Sequence, residues 1–102
     1  MRVEWTRSAL NDLDRLQDYI AQDSPYYAAQ FANRIVGATE RLLDFPESGR
    51  LVPEAQRSDV REIFVQDYRI IYALTGDAVV VLTVIHGGRD LDHLTGKPWE
   101  RA

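Results

Sequence analysis

The sequence predicts an α+β fold: an N-terminal strand, an antiparallel helical hairpin and then a three-stranded antiparallel meander. Two stretches in the first half of the chain, at about residues 7–21 and 25–44, have apolar residues at helical spacing. Three runs rich in β-branched and aromatic residues follow, at 60–65, 68–74 and 78–85. The predicted order is therefore β-α-α-β-β-β, with both helices on one face of the sheet.

The first strand and the first helix are predicted from the N-terminal residues. Arg2–Trp5 alternates apolar and polar residues, as a half-buried strand does. Thr6 can cap the helix that follows, because its hydroxyl can accept from a free backbone N–H of the first turn. We expect the inner stripe of this helix to consist of Ala9, Leu13, Leu16 and Ile20.

The second helix has a clear start signal. Ser24 is a good N-cap, and Pro25 suits the first helical position, where a missing N–H costs nothing. The break between the helices is short, so they should pack as an antiparallel hairpin. Its inner stripe is predicted to be Ala28, Phe31, Ile35, Ala38 and Leu42.

The remaining segments are predicted to connect or to end these elements. Residues 45–59 contain two prolines and a glycine and are expected to form a surface loop. The run 78–85 is almost wholly apolar, as a central strand buried on both faces would be. The chain of 102 residues is expected to be a single domain, residues 1–102, with a loosely ordered tail at 95–102.

Composition excludes several classes of function. The chain has no cysteine and no long apolar stretch, so we expect no disulfide, no metal, no cofactor and no membrane association. Its start lacks a signal-peptide core, which predicts a cytoplasmic protein. The net charge is −4, with 12 basic and 16 acidic residues, so we expect no direct sequence-specific nucleic-acid binding.

One arginine stands inside a predicted core strand, in the stretch DYRIIYAL. Alternation places Tyr68, Ile70, Tyr72 and Leu74 on the helix face, and Arg69 on the other. Two explanations are open. In the first, Arg69 pairs with an acid such as Glu62 or Asp67 and pins the hairpin; in the second, it leaves by a functional face that a partner covers.

Four basic residues are predicted to meet on that other side of the sheet: Arg61, Arg69, His86 and Arg89. Arg61 is expected to share this face with Ile63 and Val65. Such a cluster would bind a phosphate, a carboxylate or an acidic partner segment. His86 has a side chain suited to acid–base chemistry, although a histidine after a strand is also a common structural hydrogen-bonder.

A second apolar line runs along helix two, offset from its inner stripe. A groove between antiparallel helices is a natural seat for an amphipathic partner helix. The alternative is that both lines belong to one wide stripe that faces the core. The line consists of Ala32, Val36 and Leu43.

Several motifs occur together with this element order. They are A..DL at Ala9, Asp12 and Leu13, P..GR at Pro46, Gly49 and Arg50, and the runs REIFVQDYRIIY and VVVLTVIHGGRDL. Over residues 2–94 the sequence resembles the RelE/ParE superfamily of type II toxin–antitoxin toxins, and is most similar to its ParE-like members.

The resemblance implies a toxin that a cognate, ParD-like antitoxin neutralises. ParE-like members poison DNA gyrase, whereas RelE-like members cleave messenger RNA on the ribosome. Arg69 and Arg89 fall where the nuclease branch has arginines, and Arg61 lies near a basic position. The tail, however, has no tyrosine, and HGGRD and FPESGR are closer to ParE.

Gyrase inhibition without catalysis is therefore the expected activity, with Arg61, Arg69, His86 and Arg89 as target-binding residues and Ala32, Val36 and Leu43 as antitoxin-binding residues. RelE-like cleavage is the alternative, and the same four basic residues would then be the catalytic candidates. The third possibility is a family member that binds an antitoxin without being toxic.

Overall fold

A five-stranded mixed sheet lies at the centre of the computed structural model, which describes residues 1–89, 91 and 96–101. The strand order is β1-β5-β4-β3-β2, with β1 parallel to β5 and every other pair antiparallel. The predicted fold class is confirmed, and the loop predicted at 45–59 contributes one further short strand. The strands are β1 Arg2–Trp5, β2 Arg50–Leu51, β3 Val60–Val65, β4 Tyr68–Thr75 and β5 Ala78–His86.

The two helices are α1, Arg7–Ala21, and α2, Pro25–Arg41. Both predicted N-caps are confirmed: Ala9 N donates to Thr6 Oγ1 at 3.0 Å, and Tyr27 N donates to Ser24 Oγ at 3.2 Å. The predicted end of α2 at residue 44 is wrong. After Arg41 the backbone continues in tighter turns, in which the N–H groups of Leu42, Leu43 and Asp44 bond carbonyls three residues earlier.

The predicted inner stripes of both helices pack on one face of the sheet. Ile70, Val81 and Val84 meet the helices there, and Tyr72 packs against Leu42 at one end of the layer. The face assignment for β4 is confirmed, because the partners of α1 and α2 are its even-numbered residues. The helix residues buried in this layer are Ala9, Leu13, Ala28, Phe31, Ile35, Ala38 and Leu42.

The far face, the side of the sheet turned away from α1 and α2, carries a core of its own. Trp99, in a 3₁₀ helix at Pro98–Arg101, and Leu91 are buried against it, as is Val52. The expectation that a partner rather than core covers this face was wrong, because Trp99, Leu91 and Val52 pack on it. The sheet residues beneath this cover are Val60, Ile71, Ala73, Leu82 and Ile85.

One edge of β5 is only half covered. β1 pairs with Ala78–Val81 and then leaves the sheet to become α1. A bulge follows at once: Tyr72 pairs with Val81 and Ile71 with Thr83, so Leu82 is the extra residue. Among the described residues no strand pairs with β5 beyond Val81 on this side.

No described helix combines the length and the apolar character that a membrane span would need.

Candidate functional site

Arg69 lies on the far face, where two carboxylates bind it. Its Nε donates to Glu62 Oε1 at 2.5 Å, while Nη1 and Nη2 donate to the two oxygens of Glu54 at 3.2 and 3.1 Å. Arg50 Nε donates to the other oxygen of Glu62 at 2.5 Å. We call Arg50, Glu54, Glu62 and Arg69 the charge network.

The local structure of the hairpin places these groups together. The two-residue turn at Gln66-Asp67 pairs Val65 with Tyr68, so Phe64 stands opposite Arg69. Glu62 is then the diagonal neighbour of Arg69 on the same face, within reach of a long side chain. Pairing of Arg69 with Glu62, one of the two explanations open from the sequence, is confirmed.

Burial makes this pairing strong. Arg69 is 5 % exposed and Glu62 is 1 % exposed, so water competes little for either. Burial alone lowers the pKa of the Arg69 guanidinium, but its hydrogen bonds to Glu54 and Glu62 outweigh this and raise the pKa above its ordinary value. The hydrogen bond from Arg69 holds the pKa of the Glu54 carboxyl below its usual range.

Arg61 does not join Arg69, and its predicted place on the far face was wrong. It pairs with Tyr72, and residues directly opposite in an antiparallel ladder share a face, so Arg61 lies on the helix side. Its Nη1 donates to the carbonyl oxygens of Gly49 at 2.8 Å and Glu47 at 3.2 Å. The same correction applies to Ile63 and Val65, which pack against the helix-side core.

Tyr72 and Gly49 complete this side of the loop. Tyr72 Oη donates to the carbonyl of Pro46 at 2.8 Å and accepts from Gly49 N at 3.0 Å. A Cβ at Gly49 would lie 2.5 Å from Tyr72 Oη and 2.7 Å from a backbone oxygen of Glu62, so only glycine fits. The P..GR motif is thus explained by a close approach of the loop to β4.

His86 and Arg89 are the two predicted site residues that do come together. Both line a cavity of about 310 Å³ between α1 and the uncovered edge of β5, together with Arg15 of α1. We call it the edge cavity. Its described lining residues are Asp12, Arg15, Leu16, Thr83, Val84, Ile85, His86, Arg89 and Pro98.

The groups of the edge cavity differ in how far they are engaged. Asp12 accepts a hydrogen bond from Thr83 Oγ1 and pairs with Arg15. The ring of His86 is exposed, makes an edge contact with Tyr68, and accepts from Gly88 N at its Nδ1, at 3.1 Å. Arg89 is exposed. Among the described residues, its hydrogen bonding is limited to its own backbone N–H, which donates to the carbonyl of His86. The cavity can therefore offer cations to a ligand.

The second apolar line of α2 remains at the surface. Val36 is 39 % exposed and Leu43 is 40 % exposed, while Ala32 is half-buried. The two larger side chains do not belong to the core, so the line stays available to a partner. Asp90, the last residue of HGGRD, lies outside the described residues.

Sequence reasoning missed Glu54 and Arg50 as partners in the charge network. Glu62 could be anticipated from strand alternation, because Glu62 and Arg69 fall on one face once the turn is counted. Glu54 lies in an irregular loop, where no periodic pattern predicts which way a side chain points. Among the described residues, no group of three or more His, Cys, Asp or Glu side chains is placed to hold a metal ion.

Comparison with known proteins gives consistent matches. The family model described as the ParE toxin of the parDE type II toxin–antitoxin system matches residues 3–91. Toxin RelE2 of Caulobacter vibrioides is 36 % identical over 88 residues, which cover 86 % of this chain and 97 % of that protein. Toxin ParE3 of the same organism is 34 % identical over 101 residues, covering 94 % and 96 %.

Two further relatives extend the comparison. Putative toxin Y4kP of Sinorhizobium fredii is 38 % identical over 87 residues, covering 83 % of this chain and 86 % of that protein. A solved structure titled "Chromosomal ParDE TA system from P. aeruginosa" has the same fold, with a TM-score of 0.70 at 24 % identity, covering 84 % of this chain and 95 % of that one. By its family match and its relatives, the chain belongs to the ParE family of type II toxin–antitoxin toxins, within the RelE/ParE superfamily.

Proposed function

We propose that this toxin acts by binding DNA gyrase rather than by cleaving RNA, and that a ParD-like antitoxin neutralises it in the cytoplasm. The observation that carries the proposal is the state of Arg69. An arginine that serves a nuclease must be free to meet a phosphate, whereas the guanidinium of Arg69 is buried and holds Glu54 and Glu62.

The other basic residues support the same proposal. Arg61 is bonded to the carbonyls of Glu47 and Gly49. Only His86 and Arg89 of the four predicted residues remain exposed. The acidic charge of the whole chain, −4, also opposes docking on ribosomal RNA.

Neutralisation by an antitoxin is proposed to use the line of Ala32, Val36 and Leu43. Val36 and Leu43 are large apolar side chains that α2 and the following turn expose to water. An amphipathic partner helix would bury them and gain apolar contact. A solved structure with this fold is titled as a ParDE toxin–antitoxin system, which supports an antitoxin as the partner.

The proposal is tested with the purified chain in two parallel assays. We expect inhibition of gyrase supercoiling, or trapped cleaved DNA, with ribosome-bound messenger left intact. Arg89→Ala should weaken gyrase inhibition, while Arg34→Ala on α2 serves as the control at an exposed arginine distant in sequence from the edge cavity. Messenger cleavage at the ribosome, with no effect on gyrase, would overturn the proposal.

A second candidate is RelE-like cleavage of messenger RNA. It is favoured by one observation: His86 and Arg89 are exposed together at the edge cavity. A histidine that moves protons and an arginine that binds phosphate are groups that such cleavage requires. A chain inactive in both assays that still binds its antitoxin would instead be a non-toxic family member.

A further inference from the structure

We propose that the uncovered edge of β5 binds an extended, acidic segment of a partner protein, which adds a strand to the sheet where β1 ends. The inference does not depend on which toxin activity the chain has. It rests on three observations: the direction of the backbone groups along this edge, the charges that flank it, and the cavity that leaves room for a chain.

The N–H and C=O of Val84 and the N–H of His86 point to the uncovered side, whereas the carbonyl of His86 already accepts from Arg89 N at 3.1 Å. Gly87 N donates to Asp67 O at 2.7 Å, and Tyr68 pairs with His86. Because that bond joins the residues next to Tyr68 and His86, these two form a non-hydrogen-bonded pair of the antiparallel ladder. The backbone N–H and C=O of each residue therefore point away from the other strand. The alternation repeats every second residue, so the Ile70–Val84 pair has the same arrangement.

These groups lie where the path of β1 would continue. Thr6 N donates to Val81 O at 3.1 Å, and Thr6 Oγ1 donates to Leu82 O at 3.4 Å, which are the last bonds between the β1 side and β5. Past that point the described chain offers no strand to Val84 or His86. An edge with unpaired N–H and C=O groups is a template for an added strand.

The charges around this edge select an acidic occupant. Arg89 and Arg15 line the edge cavity with one carboxylate, Asp12, which bonds Thr83 Oγ1 and pairs with Arg15, so Arg89 leaves this part of the edge with a net positive charge. Acidic side chains that alternate along a strand would meet these arginines on one face. A cavity of about 310 Å³ at the edge leaves space for such side chains.

Two other occupants fit less well. A second copy of this chain, paired edge to edge about a two-fold axis, would bring Arg15 and Arg89 against their own counterparts, and like charges oppose this. A nucleic acid would satisfy the arginines, but the outward carbonyl of Val84 would face its phosphates. A peptide alone offers donors and acceptors to both kinds of edge group.

The first test is amide hydrogen exchange on the free protein, read by NMR. We expect the amides of Val84 and His86 to exchange fast, and those of Val79 and Val81, which face β1, to be protected. Slow exchange at Val84 and His86 in the free protein would mean that the edge is already occupied, and would overturn the inference.

The second test is titration with a short acetylated and amidated peptide that alternates glutamate and valine. We expect shifts at the amides of Val84 and His86 and slower exchange there on binding. The matched peptide with lysine in place of glutamate should bind about tenfold more weakly. Absence of binding, equal binding of both peptides, or shifts confined to other surfaces would each overturn the inference.

A matched pair of variants isolates the backbone contribution. His86→Pro removes the outward N–H at an exposed strand end, whereas His86→Ala removes only the side chain. We expect His86→Pro to bind the acidic peptide about fivefold more weakly than His86→Ala, the effect of one backbone hydrogen bond. Equal affinity of the two variants, with both spectra showing the folded protein, would contradict strand addition.

Discussion

Arg69 in the charge network is 5 % exposed and holds two carboxylates, whereas Arg89 at the edge cavity is exposed and lies beside an aspartate that Thr83 and Arg15 already engage. The two arginines belong to one small sheet and carry the same charge. What separates them, among the described residues, is whether a nearby carboxylate bonds the guanidinium: Glu54 and Glu62 bond Arg69, whereas Asp12 is taken up by other groups. An arginine inside a strand therefore indicates a binding surface only after its cross-strand neighbours have been counted.

The largest effect is expected for Arg69→Ala. The substitution leaves the buried carboxylate of Glu62 with Arg50 alone, and it frees Glu54. Breaking a buried pair in this way should lower the free energy of unfolding by about 3–5 kcal/mol. Urea unfolding followed by circular dichroism measures the loss.

Arg89→Ala is the matched control for that experiment. It removes the same side chain at an exposed site, so the free energy of unfolding should change by about 0.5 kcal/mol or less. If both variants unfold like the wild type, the charge network does not stabilise the fold and the contrast between the two regions fails.

Most of the fold could be predicted because periodicity and caps are local. Thr6, Ser24 and Pro25 marked the helix starts, and the bounds of β3 were predicted correctly. The short β2 was missed because a two-residue strand has no period to detect. The packing of Trp99 on the far face was missed for a related reason: the tail lacks periodicity, and its burial depends on contacts distant in sequence.

The site was predicted less well than the fold. Of the four basic residues predicted to meet on one side of the sheet, only His86 and Arg89 do, and they lie close together in sequence, so strand register does not separate them. Arg61 was assigned to the wrong face because the two-residue turn fixes the register, and a shift of one residue reverses every side chain. Glu54 reaches Arg69 through an irregular loop, which no alternation rule describes.

An intermediate effect is expected for Tyr72→Phe, which tests whether a neutral buried cluster matters as much as the charged one. Its hydroxyl donates to Pro46 O and accepts from Gly49 N. Without it a buried N–H loses its partner, so the free energy of unfolding should fall by about 1–3 kcal/mol, less than for Arg69→Ala. A loss equal to that of Arg69→Ala would show that burial, rather than charge, sets the cost.

A smaller effect, with a defined pH dependence, is expected for Glu54→Gln. The pKa of Glu54 is lowered from 4.5 in the folded protein, chiefly by its hydrogen bond from Arg69. The unfolded chain therefore binds more protons in this range, and stability rises with pH. The contribution is present above the ordinary value of 4.5 and is lost as the pH falls through the lowered folded value.

The measurement is a series of unfolding curves from neutral to acid pH for Glu54→Gln and the wild type. The two should differ by about 1 kcal/mol at neutral pH, because the pair is partly exposed, and converge in acid. A constant difference at every pH would contradict a titrating contact at Glu54.

The smallest effect on stability is expected on α2, where a substitution at a binding residue should change antitoxin affinity but hardly change the free energy of unfolding. Val36→Glu places a charge at a side chain that is 39 % exposed, so the free energy of unfolding should change by about 0.5 kcal/mol or less. Its affinity for the antitoxin should nevertheless fall, because a charge would be buried in an apolar contact.

Arg34→Gln changes the net charge by the same amount on another face of α2 and should leave antitoxin affinity near that of the wild type. Calorimetric titration with the product of the neighbouring open reading frame measures both. Equal affinities for the two variants would mean that the antitoxin docks away from the line of Ala32, Val36 and Leu43.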